Sequence, residues 1–373
     1  MRSLLDKIKF LFMTDEQKQE FENTEYSKLI ANFTRPEDDK KRIGQKIEGL
    51  IEYDLVDSVG ENQIVGHLLK RFVRLHKGYF KNLVKDIAES VSDAYVIYLD
   101  KNQIASGDVP ENLSVLLKQL QRTDFFTGYE DLRKLYNEQV TPKILNFFGC
   151  KTVYNATLKQ EPFDKYVLSL DFIGENERFY VAKPLNVKNG KDLPVHQTYR
   201  IEDKLKELDL QLGNLSKAIY EKYGRKPKIN RAEIVREFLY SYLVRGVLVG
   251  DRDFNERNYG FIYDEKTNNV RFAPNFDFEL AFDRNSRTTQ YCVENLEFIR
   301  KKHPQLFEVF MYRLNYLTLP EPETGYPLYR KILADEIVEP DLLEHFTKVF
   351  STNAQFLEEF ASGKIKPNQN QPT

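Results

Sequence analysis

Asp253, Asn258 and Asp277 are the side chains of this sequence best suited to chemistry. Asp253 and Asn258 share the polar segment Gly250-Asp251-Arg252-Asp253-Phe254-Asn255-Glu256-Arg257-Asn258-Tyr259-Gly260, and Asp277 follows two short apolar runs. A carboxylate in a loop can orient an attacking hydroxyl. A carboxamide and a second carboxylate can hold the magnesium that neutralises a triphosphate, because that ion takes hard oxygen ligands. The trio therefore points to phosphoryl transfer.

The surrounding elements must bring the three together. Tyr259-Gly260-Phe261-Ile262-Tyr263 reads as a strand, Asp264–Asn269 as a polar hairpin turn, and Val270-Arg271-Phe272-Ala273-Pro274 as the return strand. Such a hairpin delivers Asp277 to the end that Asn258 opens. Upstream, Asn230-x-x-Glu233 reads as a capping box that starts a helix with Ile234, Val235, Phe238, Leu239, Tyr242 and Leu243 on its apolar face. Two plainer readings compete. Asp251-x-Asp253-x-Asn255 begins like a calcium loop, but Glu256 stands where that loop needs glycine and Ile262 where it needs glutamate. Asp and Asn are also common in simple turns, where they bond to nearby backbone.

The pattern Val247-Leu248-Val249-Gly250, then Asp253-x-x-x-x-Asn258, then Ala273-Pro274-Asn275-Phe276-Asp277 resembles the catalytic core of the HipA-like kinases, a bacterial branch of the protein-kinase-like superfamily. The resemblance implies an α+β, two-lobed protein-kinase-like fold carrying, in this chain, an N-terminal helical extension. It implies Asp253 as the catalytic residue, Asn258 and Asp277 as magnesium ligands, ATP and Mg2+ as cofactors, and a Ser or Thr hydroxyl of a protein as acceptor. One departure stands out: the family usually has His two residues after the catalytic Asp, where this chain has Asn255. Asp277 is followed by Phe278-Glu279, unlike the Asp-Phe-Gly of ordinary protein kinases.

The resemblance extends weakly upstream. Leu113-Ser114-Val115-Leu116-Leu117-Lys118 reads as a strand ending in a lysine, and Gln119 and Leu120 leave a helical reading open. In kinase-like folds a strand lysine grips the nucleotide phosphates and pairs with a helix glutamate. Lys118 and Glu138 are the candidates for ATP binding. Lys183, in Val181-Ala182-Lys183, is the rival lysine, though it follows Glu138 in sequence. Glu138 should lie on a helix ended by Gly149, and Pro142 should kink or restart that helix. Tyr166–Ile173 reads as a strand leaving at Gly174-Glu175-Asn176. By resemblance this is the hinge between lobes, where Leu170, Asp171 and Phe172 would meet the adenine.

The whole chain sets limits. Its 373 residues suffice for two lobes, and 30% charged residues with net charge −2 argue against a dedicated nucleic-acid binder. Cys150 and Cys292 make neither a disulfide framework nor a zinc site. No apolar run reaches the length of a membrane span. Met1–Met13, with Leu4, Leu5, Ile8, Phe10, Leu11 and Phe12, reads as a short amphipathic helix. No phosphate loop, dinucleotide fingerprint, nucleophile elbow or His-Glu-x-x-His zinc motif occurs. Residues 1–93 read as a helical extension, with Ile64, Val65, Leu68, Leu69, Phe72 and Val73 at helical spacing. Residues 94–173 read as a small lobe, 174–362 as a mostly helical large lobe, and 363–373 as a disordered tail. The expected activity is a HipA-like Ser/Thr kinase in the bacterial cytoplasm; the sequence does not decide between retention there and delivery to another cell. A small-molecule or lipid kinase of the same fold, and an inactive binding module, are the alternatives.

Overall fold

In the computed structural model Leu69–His76, which the apolar spacing predicts as helix, is a strand. It pairs antiparallel over its whole length with Asn112–Gln119, from Leu69 opposite Gln119 to His76 opposite Asn112. Apolar residues spaced for a helix also suit a strand when a long partner takes up the backbone groups, and tertiary pairing overrides the local period here. The helical reading of residues 1–93 is thus corrected over 69–76, which belongs to the same sheet as 112–119; 77–93 lie outside the described residues. The structure describes residues 69–76, 95–96, 112–119, 128–156, 166–170, 172–174, 176–185, 187–188, 191–192, 200–283, 291–322 and 324–365. Residues 1–68 and the end of the tail, 366–373, lie outside them.

In chain order the strands and helices begin with β1 (Leu69–His76), β2 (Tyr95–Val96), β3 (Asn112–Gln119) and α1 (Gly128–Phe147). There follow β4 (Thr152–Val153), β5 (Asn155–Ala156), β6 (Tyr166–Leu170), β7 (Glu177–Val181), β8 (Val187–Lys188), β9 (Lys191–Asp192) and α2 (Ile201–Tyr223). Then come β10 (Lys228–Ile229), α3 (Arg231–Ser241), a wide turn at Tyr242–Leu248, β11 (Gly260–Asp264) and β12 (Asn269–Phe272). The described chain closes with α4 (Cys292–Lys302), α5 (Pro304–Thr318), α6 (Leu328–Ala334) and α7 (Pro340–Ala361).

One four-stranded sheet has the order β1-β3-β6-β5 and a second has β10-β12-β11-β7. Short pairs β2–β4 and β8–β9 stand beside them. The protein is therefore of mixed α+β construction. The chain passes from β6, in the first sheet, to β7, in the second. Helices bury one stripe each: Leu208, Leu212, Leu215 and Ile219 on α2, and Phe346, Phe350, Leu357 and Phe360 on α7, all in one continuous core. Among the described residues no helix is long and apolar enough to cross a membrane.

Candidate active site

The site is built outward from the end of α3. Asn230 caps this helix, its Oδ1 accepting from the Glu233 N–H at 3.3 Å. After Ser241 the helix widens, so that Val249 N–H donates to Val244 O at 2.8 Å, one residue farther back than in an α-helix. The wide turn ends at Gly250, whose φ of +68° reverses the chain at little cost because glycine has no Cβ. Asp251–Asn258 then form the loop predicted from sequence.

The wide turn places Arg245 at the centre of the site, fully buried. Its Nε donates to Asp251 Oδ2 at 2.7 Å and its Nη2 lies 2.5 Å from the same oxygen. The same guanidinium donates to the carbonyls of Asn258 at 3.4 Å, Phe276 at 3.0 Å and Asp277 at 2.8 Å. The rings of Phe254 and Phe278 cover it at 5.1 and 4.7 Å. One side chain thus ties the Asp253 loop to the segment that carries Asp277. The rigid five-donor fork of arginine suits this task and an ammonium does not. Sequence reading passed over Arg245 and weighed Asp251 only as the start of a calcium loop. An arginine at the end of an otherwise apolar helix, six residues before an aspartate, is the signal that could have revealed them.

Within the loop, Asn258 turns its nitrogen onto Asp253: Nδ2 donates to Asp253 O at 3.0 Å and to Asp253 Oδ2 at 2.7 Å. The carboxamide oxygen of Asn258 therefore faces away from Asp253. Asn255 Nδ2 donates to the other carboxylate oxygen, Oδ1, at 2.6 Å, while its own Oδ1 accepts from Arg257 N–H at 2.9 Å. Asn255 thus supplies an N–H that orients the Asp253 carboxylate, which is what a histidine at this position could also supply.

The hairpin then carries the chain to Asp277. β11 and β12 pair from Phe261 opposite Phe272 to Asp264 opposite Asn269. Gly260 is needed because a Cβ there would come within 2.3 Å of Tyr180 O on β7. Asn275 pins the return by donating through Nδ2 to Lys151 O and Ser241 Oγ, both at 2.9 Å. Asp277 is buried with a φ of +61°, a left-handed conformation uncommon for residues other than glycine and often found at functional sites.

Glu138 meets this segment from α1. It is fully buried, and its Oε1 accepts from the Phe278 N–H at 3.0 Å, next to Asp277. Its neighbour Asn137 donates through Nδ2 to Glu279 O at 2.8 Å. The helix does not restart at Pro142, for α1 runs from Gly128 to Phe147 with Pro142 inside. Proline lacks an N–H, so the carbonyl four residues earlier, that of Glu138, loses its helical donor. Asn155 Nδ2 replaces it, donating to Glu138 O at 2.8 Å and to Glu138 Oε2 at 2.9 Å. Ser169 Oγ in turn donates to Asn155 Oδ1 at 2.5 Å. The proline thus opens a backbone acceptor that anchors Asn155 and, through it, the Glu138 carboxylate.

The remaining predicted site residues are placed as follows. Lys118 lies in β3, opposite Lys70 on one side and Val167 on the other, which settles the strand reading of 113–118. Its side chain, and with it the Lys118–Glu138 pair, lies outside the described residues. Lys183 stands just past β7, where its N–H donates to Glu256 O at 2.9 Å and joins it to the Asp253 loop backbone. Leu170 is buried at the end of β6, with its N–H on Tyr154 O at 2.9 Å. Asp171 lies outside the described residues. Phe172 stacks on Phe276 at 6.1 Å and 16°, and meets Phe179 edge-on at 5.6 Å. The strand end expected to receive adenine is thereby in contact with the residue preceding Asp277.

No family model matches this chain, and no curated protein matches it. Solved structures similar to it include the following two. The Helicobacter pylori proinflammatory kinase CtkA aligns at a TM-score of 0.43 and 14% identity, over 67% of this chain and 87% of that one. HipA in the Shewanella oneidensis MR-1 complex with HipB and operator DNA aligns at 0.41 and 10%, over 82% and 75%.

Asn258 and Asp277 carry oxygens of the hard kind that magnesium takes, and Asn258 spends its nitrogen, not its oxygen, on Asp253; among the described residues no group of three or more His, Cys, Asp or Glu side chains is placed to hold a metal ion. Asp253 also registers negative charge in excess of its described partners. Burial first, then the charges of Asp251 and Asp277, push its carboxyl above the usual carboxylate range, against the Asn258 hydrogen bond. A group whose folded pKa is raised binds more protons folded than unfolded. Stability therefore falls as pH rises through the window between the ordinary value and the raised one, and stays reduced above it. Asp253→Asn should remove this strain and raise the melting temperature at pH 7.5 by about 1–3 °C. Calorimetric scans of both proteins check it; a lower melting temperature for the variant would mean that the carboxylate stabilises the fold.

Proposed function

We propose that this protein is an ATP- and magnesium-dependent phosphotransferase of two-lobed, kinase-like build, acting as a HipA-like Ser/Thr kinase. The observation that carries the reading is the Asp253–Asn258 contact beside Asp277, locked by Arg245. Asn258 and Asp277 would hold the metal, which when bound draws off charge from the triphosphate. The passage at Leu170, Asp171 and Phe172 would receive the adenine, and Lys118, supported by Glu138, would bind the phosphates. Asp253 accepts the proton of the acceptor hydroxyl as its oxygen bonds to the γ-phosphorus and the bond to the ADP oxygen breaks. Its raised pKa makes it a better proton acceptor than an ordinary carboxylate. Asn255 and Asn258 hold both carboxylate oxygens in place for this step. The protein acceptor rests on the resemblance of the Asp253–Asp277 pattern alone.

Labelled ATP with magnesium tests the reading. Label on the chain itself or on a protein substrate supports a protein kinase, and label on a metabolite or lipid moves the acceptor to that class. No transfer and no magnesium-dependent ATP binding would make this fold a binding module. Where transfer occurs, its rate should fall as pH drops through the raised Asp253 pKa, since protonation removes the base. A rate flat down to the ordinary carboxylate range would show that Asp253 is not that base.

A further inference from the structure

Asp283 receives two arginines from separate elements. Arg133 of α1 reaches it through Nη1 at 3.1 Å, and Arg252, adjacent to Asp253, through Nε at 3.1 Å. Arg133 and Asp283 are both largely buried, at 15% and 16% side-chain exposure, so their pairing escapes most solvent screening. Arg133 Nε is buried and makes no hydrogen bond among the described residues. The position of Asp283 is fixed by the chain before it. Arg252 N–H donates to Leu280 O at 3.3 Å and Phe282 N–H to Val249 O at 3.0 Å, which lays 280–282 along the start of the Asp253 loop. Phe282 is fully buried against Phe346, 4.5 Å between ring centroids, and its φ of +55° turns the chain just before Asp283.

We propose that Asp283 is a positioning residue that couples α1 to the Asp253 loop by holding Arg133 and Arg252 on one carboxylate. The same helix places Glu138 on the Phe278 N–H, so the Asp253 and Asp277 arms of the site share α1 as their common support. The effect on rate rests on the phosphotransferase reading, whereas the mechanical coupling does not.

Hydrogen exchange on the full chain tests the coupling whether or not the protein transfers phosphate. In Asp283→Asn, amides of 128–135 and of 250–258 should both exchange faster, with α5 and α7 unchanged. Arg133→Gln leaves Asp283 and Arg252 in place, serves if the first variant fails to fold, and should also speed exchange in 250–258. A rise confined to α1 in Arg133→Gln, or unchanged exchange in either segment of Asp283→Asn, overturns the proposal. With an active wild type, Asp283→Asn should lower kcat by between about tenfold and about a hundredfold with an ATP KM within about twofold, and Asp283→Glu should recover part of it. Unchanged kcat in an active protein overturns the positioning role. An inactive wild type sinks the phosphotransferase reading and leaves the exchange result to decide the coupling.

Discussion

Asp277→Asn should abolish magnesium-dependent ATP binding and phosphotransfer while leaving the fold intact. The substitution keeps size and hydrogen-bonding shape but removes the charge that a hard divalent cation requires. The backbone tolerates it, because asparagine is among the few residues that accept the left-handed conformation Asp277 adopts at φ +61°. Arg245 binds the backbone carbonyl of this residue, and that anchor survives the substitution too. Loss of a metal ligand at a developing charge should lower the rate by at least about a thousandfold, on the scale of removing a preorganised electrostatic group. Calorimetric titration of ATP with and without magnesium, beside a thermal scan, checks both halves. Unchanged ATP affinity in magnesium would remove Asp277 from the metal site, and an unfolded variant would make it structural.

Arg245→Met should be the most destabilising of the substitutions considered. It leaves Asp251 as a fully buried carboxylate without its cation and deprives three backbone carbonyls of a donor. Breaking a buried pair from one side costs about 3–5 kcal/mol, read as a lower midpoint in urea unfolding. Arg245→Lys should rescue little, since one ammonium cannot reach the four acceptors that the guanidinium spans. Adding Asp251→Asn to Arg245→Met should recover at least about 1 kcal/mol by removing the unpaired charge. Additive losses in that double variant would show that Arg245 and Asp251 are not one unit.

The two predictions separate the roles within one site. On the proposed reading Asp277 stands at the reacting end, beside Asp253, whose raised pKa shows charge kept at some cost to stability. Arg245 stands behind it, where a single buried cation fixes loop and hairpin against each other. A short apolar linker could have joined the same strands, but it could not have held carbonyls of Asn258, Phe276 and Asp277 at once.

The sequence by itself determined the parts of this site whose geometry is local. Asp253 and Asn258 meet across one turn, and the hairpin that follows closes between neighbouring residues, so residue type and spacing were enough to place them. The capped start of α3 and the glycine turns at Gly149 and Gly250 are likewise set within a few residues. Tertiary structure alone decided the rest. Leu69–His76 carries a helical period and becomes a strand because β3 lies beside it. Pro142 breaks no helix because Asn155, from another element, bonds to the carbonyl that the proline frees. Arg245 and Asp283 look like ordinary charged residues in the chain. Their meaning comes from burial and from partners up to 150 positions away in sequence. A local pattern records which backbone shapes are available, but the partner that satisfies a buried charge or an orphaned carbonyl is chosen only when distant segments pack.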